Sequence, residues 1–175
     1  MSANKNHAWA EAQRILKEFD FSRLPIPVDR IAKRLGATIR FSPMDNEELS
    51  GMIFVKNGVP IIGINSLHHP NRQRFTIAHE LGHLVMHRKE IESVVHIDTE
   101  FRTLMRDEES AKGKDIIEIE ANNFASELLV PESALGEALG NQRIDVESDS
   151  LIADLAKKFK VSPLTMQLRI SRFMA

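Results

Sequence analysis

Apolar side chains recur at three- and four-residue intervals along much of this chain, and the intervals mark out helices. From Trp9 to Phe19, the residues Trp9, Ala12, Ile15, Leu16 and Phe19 share one face. Leu24-Pro25-Ile26-Pro27 is a connector, because proline fixes φ and cannot donate. Val28 to Leu35 predicts a short helix with Val28, Ile31, Ala32 and Leu35 inward, ended by Gly36 as a left-handed cap. Phe75, Ala78, Leu81, Val85 and Met86 predict another helix, with Asn71 as its N-cap just after Pro70. Ile117, Ala121, Phe124, Ala125, Leu128 and Leu129 form a wide apolar arc on a helix stopped by Pro131. A brief helix follows from Ser133 to Leu139, ended by Gly140. Asp149 to Lys160, then Val161-Ser162, then a helix opening at Pro163 and running to Phe173, resembles a helix-turn-helix pair.

Alternating and β-branched runs are fewer. Thr38 to Phe41 reads as a strand, and Ser42 to Leu49 as an acidic loop. Gly51 to Lys56 and Val59 to Ile64 flank Asn57-Gly58, a strong hairpin signal since both residues accept φ > 0. Pro60 lacks a ladder donor, which argues for an edge position in the second run. Val94 to Ile97 reads as a short strand. Leu104 to Lys114 is charged and contains Gly113, so it reads as a flexible connector able to overlie a cleft. Together these elements predict an α+β fold: a small antiparallel sheet packed on helices, with C-terminal helices appended. The division expected is 1–147 for the core with its N-terminal helix and 148–175 for a helical subdomain packed on it.

Candidate chemistry is concentrated in His79-Glu80-Leu81-Gly82-His83, an H-E-x-x-H sequence inside a helical pattern. Four residues of helix advance about 400°, so both imidazoles lie on one face and can reach one cation. Glu80 projects beside them and can take a proton from an attacking water. A catalytic zinc usually takes three protein ligands, so a further His, Asp or Glu is required. The arc around Ala121 supplies two choices. Glu118 lies at its edge, in line with the small Ala121 and Ala125, and is preferred; Glu120, on the other flank, is the alternative. His87 follows His83 by four residues, but a straight helix spreads the three histidines over about 12 Å, so a supporting or surface role is expected. Asn122, one turn after Glu118, can hydrogen-bond a ligand or serve packing. A donor for a developing oxyanion is also needed; there is no tyrosine, which leaves His87, His96, His69 and Arg102 unranked.

The stretch Arg74-Phe75-Thr76-Ile77-Ala78-His79-Glu80-Leu81-Gly82-His83, followed by Glu118, Ala121, Asn122, Phe124, Ala125, Glu127, Leu128, Leu129, Val130 and Pro131, resembles the ImmA/IrrE family of metallopeptidases. The resemblance covers roughly residues 25 to 175. It implies a minimal zincin-like (gluzincin-like) core. It also implies metal ligands at His79, His83 and Glu118, Glu80 as general base, zinc or else manganese as the metal, and cleavage of helix-turn-helix repressors. Val130 stands where the family more often has methionine, which affects packing and not chemistry.

Composition narrows the picture without changing it. The 175 residues suit one compact domain able to bury a core. The absence of cysteine removes disulfides and thiolate sites, leaving His and carboxylate as strong ligands, and agrees with a cytoplasmic location. A formal charge of −2 gives no global drive toward nucleic acid or membrane. No apolar run approaches the roughly 18 residues needed to span a bilayer, and the polar N-terminus carries no signal-peptide core. Three classes of function follow as expectations. The first is an endopeptidase acting on a specific protein partner, such as a helix-turn-helix repressor. The second is a repressor- or DNA-binding module with a non-catalytic metal site. The third is a toxin-like partner of an antitoxin. Direct DNA contact is disfavoured, because the last helix carries only Arg169 and Arg172 as cations.

Overall fold

The computed structural model describes residues 4–20, 23–93, 96–99, 108–140 and 148–174. Helix α1 (Lys5–Glu18) starts on Asn4, whose side chain accepts from the His7 amide, and buries Ala8, Ala12, Ile15 and Leu16. Helix α2 (Val28–Arg34) buries Val28, Ile31 and Ala32. It gives way to strand β1 (Thr38–Ser42) through Gly36 at φ 76°, a conformation that favours glycine. Strands β2 (Leu49–Lys56) and β3 (Val59–Asn65) form the expected hairpin, with Asn57 at φ 52° and Gly58 at φ 78°.

Four strands assemble in the order β1-β3-β2-β4, where β4 is His96–Thr99. The sheet is mixed: β1 runs parallel to β3, while β2 is antiparallel to both β3 and β4. This corrects two expectations. The sheet is not purely antiparallel, and β3 is an inner strand, not an edge. Pro60 is tolerated because the pairing of β1 with β3 begins at Ile61, one residue later. Proline therefore faces a neighbour on one side only.

Helix α3 (Pro70–Met86) packs beneath β2 and β3. Its N-cap is His69, whose Nδ1 accepts from the Asn71 amide at 3.2 Å; Asn71 is not the cap. The Asn71 side chain instead donates to the Val161 carbonyl at 2.9 Å. Pro70 takes the first helical turn, where no N–H is missed, and this moves the start two residues earlier than expected. The approach of β2 to α3 is set by Gly51, where a Cβ would lie 2.5 Å from Thr76 Cγ2.

A short helix α4 (Arg88–Ser93) follows, and then α5 (Glu108–Leu129). Helix α5 corrects the flexible connector: residues 108–114 are helical, Gly113 included. The cost of one interior glycine, about 1 kcal/mol, is small against a helix of 22 residues. Residues 104–107, and Val94 and Val95 of the expected strand, lie outside the described residues.

Helices α6 (Glu132–Leu139), α7 (Asp149–Phe159) and α8 (Pro163–Phe173) complete the chain. Ser148 and Ser162 cap α7 and α8 by accepting from Leu151 and Thr165 amides. The boundary expected near residue 147 falls outside the described residues. Across it, α8 is joined to α5 by a buried ion pair. Arg169 donates to Glu127 at 2.5 Å and twice to the Val130 carbonyl, at 3.1 and 2.8 Å. The second Glu127 oxygen accepts from the Glu132 amide at 3.1 Å and Gln13 at 3.4 Å. Burial pushes the Glu127 carboxyl up from its ordinary value, with Arg169 opposing that shift. Burial likewise pulls Arg169 down. Arg172 donates to Asn123 at 2.6 Å and lies 6.0 Å from the centre of the Trp9 ring.

Candidate metal centre

The metal-ligand candidates come from two helices that cross closely. At the crossing, Gly82 of α3 faces α5, and a Cβ there would meet Ala121 Cα at 3.1 Å and Phe124 Cδ1 at 3.2 Å. Small residues on both sides let the backbones approach, so that short side chains reach across. The sequence signal was present in the glycine within H-E-x-x-H and the alanine at 121.

Around that crossing, His79, His83 and Glu118 offer ligand atoms all within 4.8 Å of one another. The two imidazole Nε2 atoms are 3.0 Å apart. Glu118 places one oxygen 3.1 Å from His79 Nε2 and the other 3.5 Å from His83 Nε2. A tetrahedral metal with ligands at about 2.0–2.1 Å separates them by about 3.3 Å. The observed separations, with the two Glu118 oxygens each facing one imidazole, are close to that spacing. Both histidines are buried, while Glu118 keeps 28% of its side-chain surface exposed, so the cluster has one face toward solvent.

Chemistry of the donors points the same way. Two imidazole nitrogens and a carboxylate are all Lewis bases, and they converge on a point where their lone pairs repel unless a cation or proton lies between them. Asn122 Oδ1 lies 3.0 Å from His79 Nδ1. A carbonyl oxygen there holds the hydrogen on Nδ1 and leaves the Nε2 lone pair directed at the shared point. Of the two roles open to Asn122, the structure displays this hydrogen-bonding contact.

Glu80 is fully buried on α3 beside these ligands. Glu120 does not join the cluster. Its Oε2 lies 3.4 Å from His87 Nε2, and its Oε1 accepts from the Asn4 amide at 2.6 Å. Helix α3 ends at Met86, with His87 as its C-cap, so His87 is buried behind the site and is not a surface residue. Its ring centre lies 5.6 Å from that of His83. His69 caps the far end of α3, three turns from the cluster. His96 contributes its backbone to β4, and its side chain, like all of Arg102, lies outside the described residues.

The last helix offers no free cation toward nucleic acid. Arg169 is buried against Glu127 and Val130, and Arg172 is engaged by Asn123 and Trp9. Among the described residues no helix is long and apolar enough to cross a membrane.

The sequence profile of a peptidase family described as the IrrE N-terminal-like domain matches residues 32–171. The radiation response metalloprotease IrrE of Deinococcus radiodurans is 35% identical over 103 residues, covering 58% of this chain and 28% of that protein. A solved Mycobacterium tuberculosis transcriptional regulator superposes with a TM-score of 0.60 at 18% identity, over 92% of this chain and 45% of that one. That structural likeness speaks to fold alone. The chain thus spans less than half the length of either.

Proposed function

The chain belongs to the peptidase family described as the IrrE N-terminal-like domain, and from that premise we propose that it is a zinc-dependent endopeptidase. His79, His83 and Glu118 hold the ion and Glu80 acts as the general base. The supporting observation is the convergence of two imidazole nitrogens 3.0 Å apart on the Glu118 carboxylate, whose two oxygens lie 3.1 and 3.5 Å from them. When bound, a divalent metal at that point supplies Lewis acidity, which acidifies water and polarises a carbonyl. Manganese also suits two imidazoles and a carboxylate, but the short, roughly tetrahedral spacing favours zinc.

The remaining work belongs to side chains of this protein. Glu80 takes the proton of the attacking water and returns it to the leaving amide nitrogen. Its burial beside the site keeps that carboxylate out of bulk solvent. Asn122 fixes the His79 ring and its tautomer. Arg102, His96 and His87 remain the candidates for a donor to the oxyanion; His87 is the weakest, since it faces Glu120.

The substrate we propose is a specific helix-turn-helix repressor or antitoxin in the cytoplasm. This rests on the family resemblance carried by the two ligand-bearing motifs. A DNA-binding role has less behind it, because Arg169 and Arg172 are both committed to packing. The test is incubation of the metal-loaded protein with the helix-turn-helix protein encoded beside it, alongside a Glu80→Gln variant. The variant is expected to bind metal as before and to cleave about 10²–10⁴-fold more slowly. Cleavage at an undiminished rate would remove Glu80 from the mechanism.

A further inference from the structure

Beside the site the buried His87 meets Glu120, a half-buried carboxylate that takes no part in the chemistry above. His87 ends α3 and keeps only 6% of its surface exposed. Glu120, two residues after Glu118 on α5, meets it at 3.4 Å. We propose that His87 and Glu120 are a positioning pair: together they brace α3 against α5 and so set the ligand triangle, without touching the ion. The proposal rests on the metal-site reading given above.

Three observations converge on it. First, the contacts between the ligand helices are distributed along the crossing. Asn122 meets His79 on one side, Gly82 meets Ala121 at the centre, and Glu120 meets His87 on the other side. On α3, His83 lies between the last two. Releasing the outer contact frees the end of α3 that carries His83. Second, the Glu120 carboxylate is itself fixed. Its Oε1 accepts at 2.6 Å from the backbone amide of Asn4, the N-cap of α1, which leaves Oε2 directed at His87. A carboxylate held by an amide at one oxygen and seated 3.4 Å from an imidazole at the other is restrained from rotating, as a brace must be. Third, His87 is the junction of two helices: its amide donates to the His83 carbonyl at 2.8 Å, and its own carbonyl accepts from Glu90 and Ile91, opening α4. The ring is thus held by backbone on both sides, and its position is transmitted to His83 one turn earlier.

A merely apolar residue would fill the same space, so the proposal predicts a difference between volume and hydrogen bonding. Cobalt serves as the probe, since its visible absorption reports coordination geometry. In the full-length protein, His87→Leu is expected to weaken cobalt binding about tenfold or more and to shift the absorption bands. His87→Gln, whose amide nitrogen can reach Glu120, is expected to restore most of the affinity and the original spectrum. Should His87→Leu not fold, Glu120→Met carries the same expectation from the other partner. Affinity and spectrum unchanged in a folded His87→Leu or Glu120→Met protein would overturn the proposal. So would His87→Gln behaving no better than His87→Leu, which would leave packing as the sole role. The wild-type titration separates this from the site itself: if the wild type takes up no cobalt, or if Glu118→Ala takes it up equally well, the metal-site reading fails first.

Discussion

Helix α5 buries ionisable groups in two places, and the two places solve the problem of buried charge differently. Toward α8, Glu127 meets Arg169, a cation supplied by the chain itself. Toward α3, Glu118 meets His79 and His83, which are bases like itself. At the first place the charges complement one another and the carbonyl of Val130 accepts from Nε and Nη2 of the guanidinium. At the second, donors of one polarity are gathered around a point where a cation fits. Burial alone therefore does not mark a functional group; the sign of its neighbours does.

The largest effect expected is on the self-satisfied pair. Arg169→Ala or Glu127→Ala leaves a buried charge without its partner and is expected to cost about 3–5 kcal/mol in denaturant unfolding. Replacing both by methionine is expected to recover most of that loss, and metal affinity in the double variant should stay within a few-fold of wild type. Metal binding lost along with the pair would merge the two regions into one functional unit.

Removing an external partner should act only on the other region. A metal held by the folded protein and not by the unfolded chain stabilises by about 2.7 kcal/mol at a concentration one hundred times its dissociation constant. Thermal melting is therefore expected to fall on chelation and to recover on adding zinc. In Glu118→Ala, neither change should occur. A chelator-sensitive Glu118→Ala protein would place the metal elsewhere.

A smaller effect tests the crossing that makes the second region possible. In Gly82→Ala the new methyl meets Ala121 Cα at 3.1 Å, a backbone atom that cannot simply rotate away. Overpacking of this kind costs about 1–3 kcal/mol, and separating the helices is expected to weaken metal binding as well. Unchanged melting and affinity would show that the two helices can separate there without loss.

The two regions also differ in how far they could be read in the sequence. The metal side was legible because its information is local. H-E-x-x-H fixes two ligands by helical periodicity, and Ala121 marks where α5 is thin enough to approach. The helical wheel prefers Glu118 over Glu120; in the fold Glu118 lies with the two imidazoles and Glu120 turns to His87. The partnership of Glu127 with Arg169 had no such signal. Its residues are 42 positions apart and belong to helices whose packing no periodicity specifies. The same limit explains the sheet. Hairpin chemistry at Asn57-Gly58 paired β2 with β3, but only the tertiary fold brings β1 alongside β3 in parallel and makes β3 an inner strand. The N-terminal part of α5 was misread for a different reason. Its charged residues and Gly113 lack an apolar stripe, and its helical state is continuous with the well-marked turns that follow.

The central claim is that three side chains from two helices bind one ion. Metal analysis of the purified full-length protein, alongside Glu80→Gln and Glu118→Ala, tests it most directly. The account predicts a single divalent ion per chain in the wild type and in Glu80→Gln, and its loss in Glu118→Ala. A wild-type protein that takes up no ion after equilibration with zinc, or a Glu118→Ala protein that retains it at full occupancy, would contradict it.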